Sequence, residues 1–199
     1  MKTQVLTTFF SCIVFLTLTG CATKKTERIV PGGSQAITTT GIDQKDWDGA
    51  AVTMIDSLNE KFINAGKLQS PPDKPALLAI SLIRNNTGLR IDTDLLVKKI
   101  QIALNQTDKV VTSTTIGIGD AADPIAVEEK RRLRLLGIEP SRPNYTLSGK
   151  IIEQVGRAGN VREATYTFQL SLTKTPEGFA VWEDEHPMTK QTKRSRLGL

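Results

Sequence analysis

Tyr145, Thr146, Leu147, Ser148, Gly149, Lys150, Ile151 and, further on, Tyr166, Thr167, Phe168, Gln169, Leu170, Ser171, Leu172 alternate apolar and polar residues with a period of two. Successive side chains of a strand point to opposite faces. Tyr145, Leu147 and Ile151 therefore share one face of a strand, and Tyr166, Phe168, Leu170 and Leu172 share one face of another. Gly156 to Asn160 reads as the hairpin turn between them. Pro176, Glu177 and Gly178 make a second turn into Phe179 to Glu185, so the last third of the chain is an antiparallel meander.

Upstream the period changes. Trp47, Ala50, Ala51, Met54, Ile55, Leu58, Phe62 and Ile63 recur at helical spacing from Asp46, with Gly66 as the stop. Pro71, Pro72 and Pro75 break the chain before Ala76 to Ile83, an apolar run of strand length expected to be buried on both faces. Arg84 to Gly88 reads as a polar loop. Asp92 or Thr93 caps a second helix carrying Leu95, Leu96, Ile100, Ala103 and Leu104, and Lys109 to Thr115 reads as a strand. A Gly-rich loop follows over Ile116 to Ala122. Asp123 caps a third helix with Pro124 in its first turn, ending near Leu136 and Gly137. The expected fold is α+β: a single domain with a mixed or antiparallel sheet of about five strands and three helices packed on it.

The chain begins differently. Lys2 precedes an apolar run from Val5 to Leu18, too short for the roughly 20 residues that span a bilayer. Leu18, Thr19, Gly20 and Cys21 end it as a bacterial lipoprotein signal does, which predicts a signal peptide over 1–20, cleavage after Gly20 and lipidation of Cys21. Residues 21–43, with Pro31, Gly32, Gly33 and the threonines at 38 to 40, read as a flexible tether with an r.m.s. reach of about 25 Å. Residues 44–192 form the expected domain and 193–199 a basic tail.

Cleavage removes only Lys2 of the 26 Lys and Arg, leaving 25 against 21 Asp and Glu, a net charge of +4. Spread charge outside the cytoplasm gives no reason to expect nucleic acid as a partner. The two cysteines are Cys12, lost with the signal, and Cys21, consumed by lipid, so the fold holds without a disulfide. Lys190, Lys193, Arg194 and Arg196 concentrate charge that suits anionic head groups or an acidic partner as well as a solvated end.

Catalytic chemistry is not legible. His186 is the single histidine, with Glu183, Asp184 and Glu185 beside it and no thiol, which makes a poor metal site. No Ser, His and Asp arrangement can be built on it. Gly117 and Gly119 lie between a strand and a helix, yet no Lys-Ser or Lys-Thr pair follows for phosphate binding. Glu128 and Arg132 stand four apart on the third helix and suggest an intrahelical pair on a solvated face. Acceptor-like tripeptides at Asn85, Asn105 and Asn144 read as chance matches or turn residues. The expectation is a protein that is not an enzyme and takes neither cofactor nor metal.

The helix with Asp92, Thr93, Asp94, Leu95, Leu96, Lys99, Ile100, Ala103 and Leu104 resembles that of the penicillin-binding protein activator family LpoB. So do the two alternating stretches and Val181, Trp182, Glu183, a likeness spanning about residues 45 to 192. The resemblance implies a domain like the amino-terminal domain of TolB, carried on an outer-membrane lipoprotein facing the periplasm. Ala22 after the cysteine is similar to outer-membrane sorting. The implied partner is a bifunctional class A penicillin-binding protein, whose peptidoglycan synthesis the family stimulates. The tether is shorter than the long proline-rich one of familiar members, and Thr192 stands where the family commonly has Gly. Exposed loop positions single out Arg84, Asn85, Asn86, Arg157 and Arg162 as candidate partner contacts. The alternative is an assembly or secretion lipoprotein similar to the curli pore subunit CsgG, although the additional amphipathic strands of a pore are not legible. A cell-wall hydrolase lacks a base and nucleophile pair.

Overall fold

Asp43 starts the first helix. Its carboxylate accepts from the backbone N–H groups of Lys45 and Asp46, and the Asp46 side chain accepts from the Asp43 N–H, closing a reciprocal cap. The computed structural model describes residues 28–30, 34, 41–115 and 122–194; the predicted signal, Cys21, most of the tether, Gly117 with Gly119, and Arg196 lie outside them.

Helix α1 runs Gln44–Leu58 and passes into a π-helical turn, Asn59–Ile63, where the spacing predicts plain α-helix. Phe62 and Ile63 in this wider turn are both buried, at 3% and 4% exposure. Helix α2, Thr93–Asn105, is capped by Asp92, and α3, Pro124–Leu135, by Asp123. Gly137 ends α3 with a φ of 75°, a left-handed backbone that a residue with a Cβ adopts only at a cost.

The five strands are β1 Ala76–Asn86, β2 Val110–Thr112, β3 Tyr145–Ala158, β4 Val161–Lys174 and β5 Phe179–Lys193. They form one mixed sheet in the order β2-β1-β3-β4-β5, with β1 parallel to both β2 and β3 and the remaining pairs antiparallel. The expected α+β architecture of three helices and a five-stranded mixed sheet is observed.

Several element boundaries differ from the sequence reading. Arg84, Asn85 and Asn86 are not loop but the end of β1, in register with Lys150, Ile151 and Ile152 of β3. Parallel pairing to a long neighbour carries the strand beyond its apolar run. Burial of β1 on both faces holds only for its first half: Ala79 is enclosed, whereas Leu82, at an irregularity in the register between Ile80 and Ile83, is 37% exposed. Strand β2 is shorter than the expected Lys109 to Thr115, although the Ser113 N–H still bonds the Leu78 carbonyl. The β3–β4 hairpin turns on Gly159 and Asn160 alone, so Gly156 to Ala158 are strand. His186 lies within β5 rather than near a strand end, and Pro187 follows on this edge strand, where a missing N–H is tolerated. On α3, Glu128 pairs with Arg131 at 2.9 Å and Glu129 with Arg132 at 3.5 Å, so the predicted four-residue pairing gives way to three-residue ones on a solvated face.

The inner face of the sheet carries the core. Leu78, Ile80 and Ile83 of β1, Tyr145, Leu147 and Ile151 of β3, and Phe168, Leu170 and Leu172 of β4 lie under α1 and α2. Trp47 meets Phe168 edge to face at 4.6 Å, and Phe62 meets Tyr145 at 5.9 Å. Gly149 occupies this face where a Cβ would come within 2.7 Å of the Gln169 carbonyl oxygen. Helix α3 buries no residue among those described.

Two polar clasps hold α1 to β5. Near the start of α1, Lys190 pairs with Asp43 at 2.9 Å and with Asp46. Near its end, Asp184 accepts from Lys61 at 2.9 Å and from the Ser57 hydroxyl. Lys190, inside the expected domain over 44–192, is therefore tied to α1. The three acceptor-like asparagines are also structural: Asn144 Oδ1 accepts from the Leu77 N–H, Asn105 Oδ1 from the Thr112 N–H, and Asn85 Oδ1 from the Thr87 N–H.

Candidate functional site

The alternation that sends Leu147, Ile151, Leu170 and Leu172 inward sends Ser148, Lys150, Gln169 and Ser171 outward. Together with Ser81, Leu82 and Arg84 of β1 and Glu183 and Glu185 of β5, they line an open trough of about 760 Å³ on the face away from the core. Its order comes from the register. Arg84 stands beside Lys150, Lys150 beside Gln169 and Gln169 beside Glu185, a single row across four strands. The adjacent outward row sets Ser148 beside Ser171 and Ser171 beside Glu183.

Charge is segregated across these two rows. Arg84 and Lys150 form a cationic end on β1 and β3, while Glu183 and Glu185 form an anionic end on β5. Gln169 donates its Nε2 to Glu185 at 2.9 Å and orients that carboxylate. Among the described residues, neither Arg84 nor Lys150 has a carboxylate partner. Two like charges side by side on paired strands repel, so this juxtaposition works against the fold.

The residues singled out from the sequence divide between two surfaces. Arg84 lies in the trough, and Asn86, outward-facing and exposed, lies beyond its end. Asn85 turns the other way, where its Nδ2 donates to the Leu89 carbonyl at 2.7 Å and fixes the turn after β1. Arg157 and Arg162 stand opposite each other near the tip of the β3–β4 hairpin, on the core side of the sheet. Glu153 engages Arg162 at 3.6 Å while also accepting from the Tyr166 hydroxyl and the Gly88 N–H. Burial first, and then the charge and hydrogen bond of Glu153, push the Tyr166 hydroxyl above its ordinary pKa.

Lys150, Gln169, Ser171, Glu183 and Glu185 are trough residues that sequence reasoning did not select. Their signal was the polar half of the alternating pattern, but only register shows that cations and carboxylates fall on one row. On the other face, hydrogen bonds from Lys61 and then Ser57 outweigh burial and hold Asp184 down to about 2. Lys190 is raised: burial opposes its charge, but Asp46 and Asp43 outweigh it.

Among the described residues, no group of three or more His, Cys, Asp or Glu could hold a metal ion, and no helix is long and apolar enough to cross a membrane. What the trough offers is recognition by surface charge.

The family model described as peptidoglycan-synthase activator LpoB matches residues 46–188. Among solved structures, the chain is similar to the LpoB C-terminal domain from Escherichia coli, at 15% identity and a TM-score of 0.42, covering 72% of this chain and 98% of that one. The NMR structure of E. coli LpoB is 13% identical with a TM-score of 0.39, covering 96% of this chain and 94% of that one. A PelC dodecamer from Paraburkholderia phytofirmans is 19% identical with a TM-score of 0.31, covering 62% of this chain and 78% of that one. None of the curated proteins matches the chain.

Proposed function

The chain belongs to the LpoB family of peptidoglycan-synthase activators, and from that premise we propose that it binds a bifunctional class A penicillin-binding protein and stimulates its synthesis of peptidoglycan. The observation that carries this reading is the family match over residues 46–188, which reaches into every described helix and strand and leaves out only the first two residues of α1 and the last five of β5. The protein acts as a regulator without chemistry of its own. Its Leu18, Thr19, Gly20 and Cys21 supply the lipid anchor, placing the domain at the outer membrane on the periplasmic side. A tether over 21–43 extends at most roughly 80 Å, so reach limits which synthase the domain meets.

Activation follows from differential affinity. A domain that binds the active conformation of the synthase tenfold more tightly than the inactive one shifts that equilibrium by about 1.4 kcal/mol. Arg84 and Asn86 on the outer face, and Arg157 and Arg162 at the hairpin, are the contacts we assign to the partner; Asn85 supports them by fixing the turn after β1.

The test is reconstitution of the mature lipoprotein with a purified class A synthase, measuring complex formation and the rate of glycan polymerisation from lipid-linked substrate. Binding with a several-fold rise in rate is expected. Absence of binding together with an unchanged rate overturns the proposal.

A further inference from the structure

We propose that the outer-face trough receives an extended segment of the synthase that crosses the strands and carries an acidic side chain over Arg84 and Lys150 and a basic one over Glu183 and Glu185. This inference rests on the activator reading and adds the chemistry of the contact.

The first argument is the uncompensated pair. Arg84 and Lys150 are register partners on parallel strands, and among the described residues no carboxylate pairs with either. Their repulsion is relieved when an anionic group sits between them. Arg84 offers a planar fork for a carboxylate, and Lys150 adds a mobile point charge.

The second argument is the opposite end. Glu185 lies two strands from Lys150 and three from Arg84, which at the usual strand spacing is about 10 Å and about 14 Å. Extended chain advances about 3.3 Å per residue, so an acidic and a basic residue three or four positions apart span the row. Between them, Ser148 and Ser171 leave a low floor with hydroxyl groups available to a peptide backbone.

The same features select the occupant. A polyanion such as nucleic acid, or an anionic membrane, meets repulsion from Glu183 and Glu185. A sugar ring finds no aromatic platform among the lining residues, whereas a peptide with both charges satisfies both ends.

The experiment uses the mature chain, residues 21–199, carrying Cys21→Ser so that it is studied without detergent. Binding to the purified synthase ectodomain is measured for this chain and for Arg84→Glu, Lys150→Glu and the pair Glu183→Lys with Glu185→Lys. Lys98→Glu, on the exposed side of α2, is the control. Each trough variant is expected to raise Kd tenfold or more with its melting temperature retained or, for Arg84→Glu and Lys150→Glu, raised as their mutual repulsion is removed, and the control to leave Kd unchanged.

A second measurement does not depend on the synthase. Amide chemical shifts are followed during titration with an eight-residue peptide whose Glu and Lys stand four positions apart, and with its Ser-for-charge counterpart. Shifts at Lys150, Gln169, Ser171 and Glu185 are expected with the charged peptide alone. Synthase binding indifferent to all the reversals overturns the trough as its contact, as does a charged peptide that moves none of these amides. Peptide shifts without any synthase binding retain the trough's ligand chemistry but overturn the synthase as occupant and the activator reading with it.

Discussion

Protonating Asp184 dismantles one of the two clasps between α1 and β5. Hydrogen bonds from Lys61 and Ser57 hold this carboxyl at about 2, below its usual 3.8. A depressed carboxyl stabilises the fold fully above its unfolded pKa, and that contribution is lost as pH falls through the folded value. Asp184→Asn is expected to cost on the order of 1 kcal/mol at pH 7, a small figure because Lys61 is largely exposed. Thermal melts of wild type and variant should therefore differ at pH 7 and converge near pH 2; an undiminished gap at low pH contradicts the assignment. Lys190 has the opposite sign, its raised pKa giving stability that is lost only as pH rises past the ordinary lysine range. Neither clasp was legible in the sequence. Asp184 and Ser57 are 127 positions apart, and Asp184 read as one of three carboxylates beside a histidine.

The same contrast between local and distant information governs the elements. Caps at Asp92 and Asp123, Pro124 at the start of α3 and the alternation in β3 and β4 act within a few residues, and the sequence showed them, the first as Asp92 or Thr93. Strand ends depend on a neighbour. Arg84 to Asn86 look like loop because they are polar, yet β3 continues alongside and pairs with them. The tail is similar: Thr192 and Lys193 pair with Arg162 and Val161, and the Arg194 N–H reaches the Asn160 carbonyl. A chain stopped after Gln191 loses only this exposed end, whereas one stopped after Thr189 also loses Lys190 from Asp43 and Asp46. Denaturant unfolding should place the first within about 1 kcal/mol of the full chain and the second about 1–3 kcal/mol below it. Equal stabilities would remove the clasp from its proposed role.

For the whole molecule, element order was enough to give one sheet with helices against it, because short connections and hydrophobic faces leave few other layouts. The candidate site was half legible. Arg84 stood out as a polar residue after an apolar strand, but its partners in the row lie on three other strands, and the charge gradient exists only once those strands are aligned. The sheet's two edges differ from its face. Strand β2 is three residues long, and β5 carries Pro187 amid charged neighbours. Short edges, prolines and charges all discourage addition of a foreign strand. Sedimentation of the mature chain carrying Cys21→Ser should show a monomer, while Pro187→Val, which restores an edge donor, should move it toward association. Pro187 thus has a bearing on how long any complex lasts. With backbone annealing discouraged at the rim, adhesion falls to side-chain charge on an open surface, and such a grip loosens with ionic strength and lets go without unravelling either molecule.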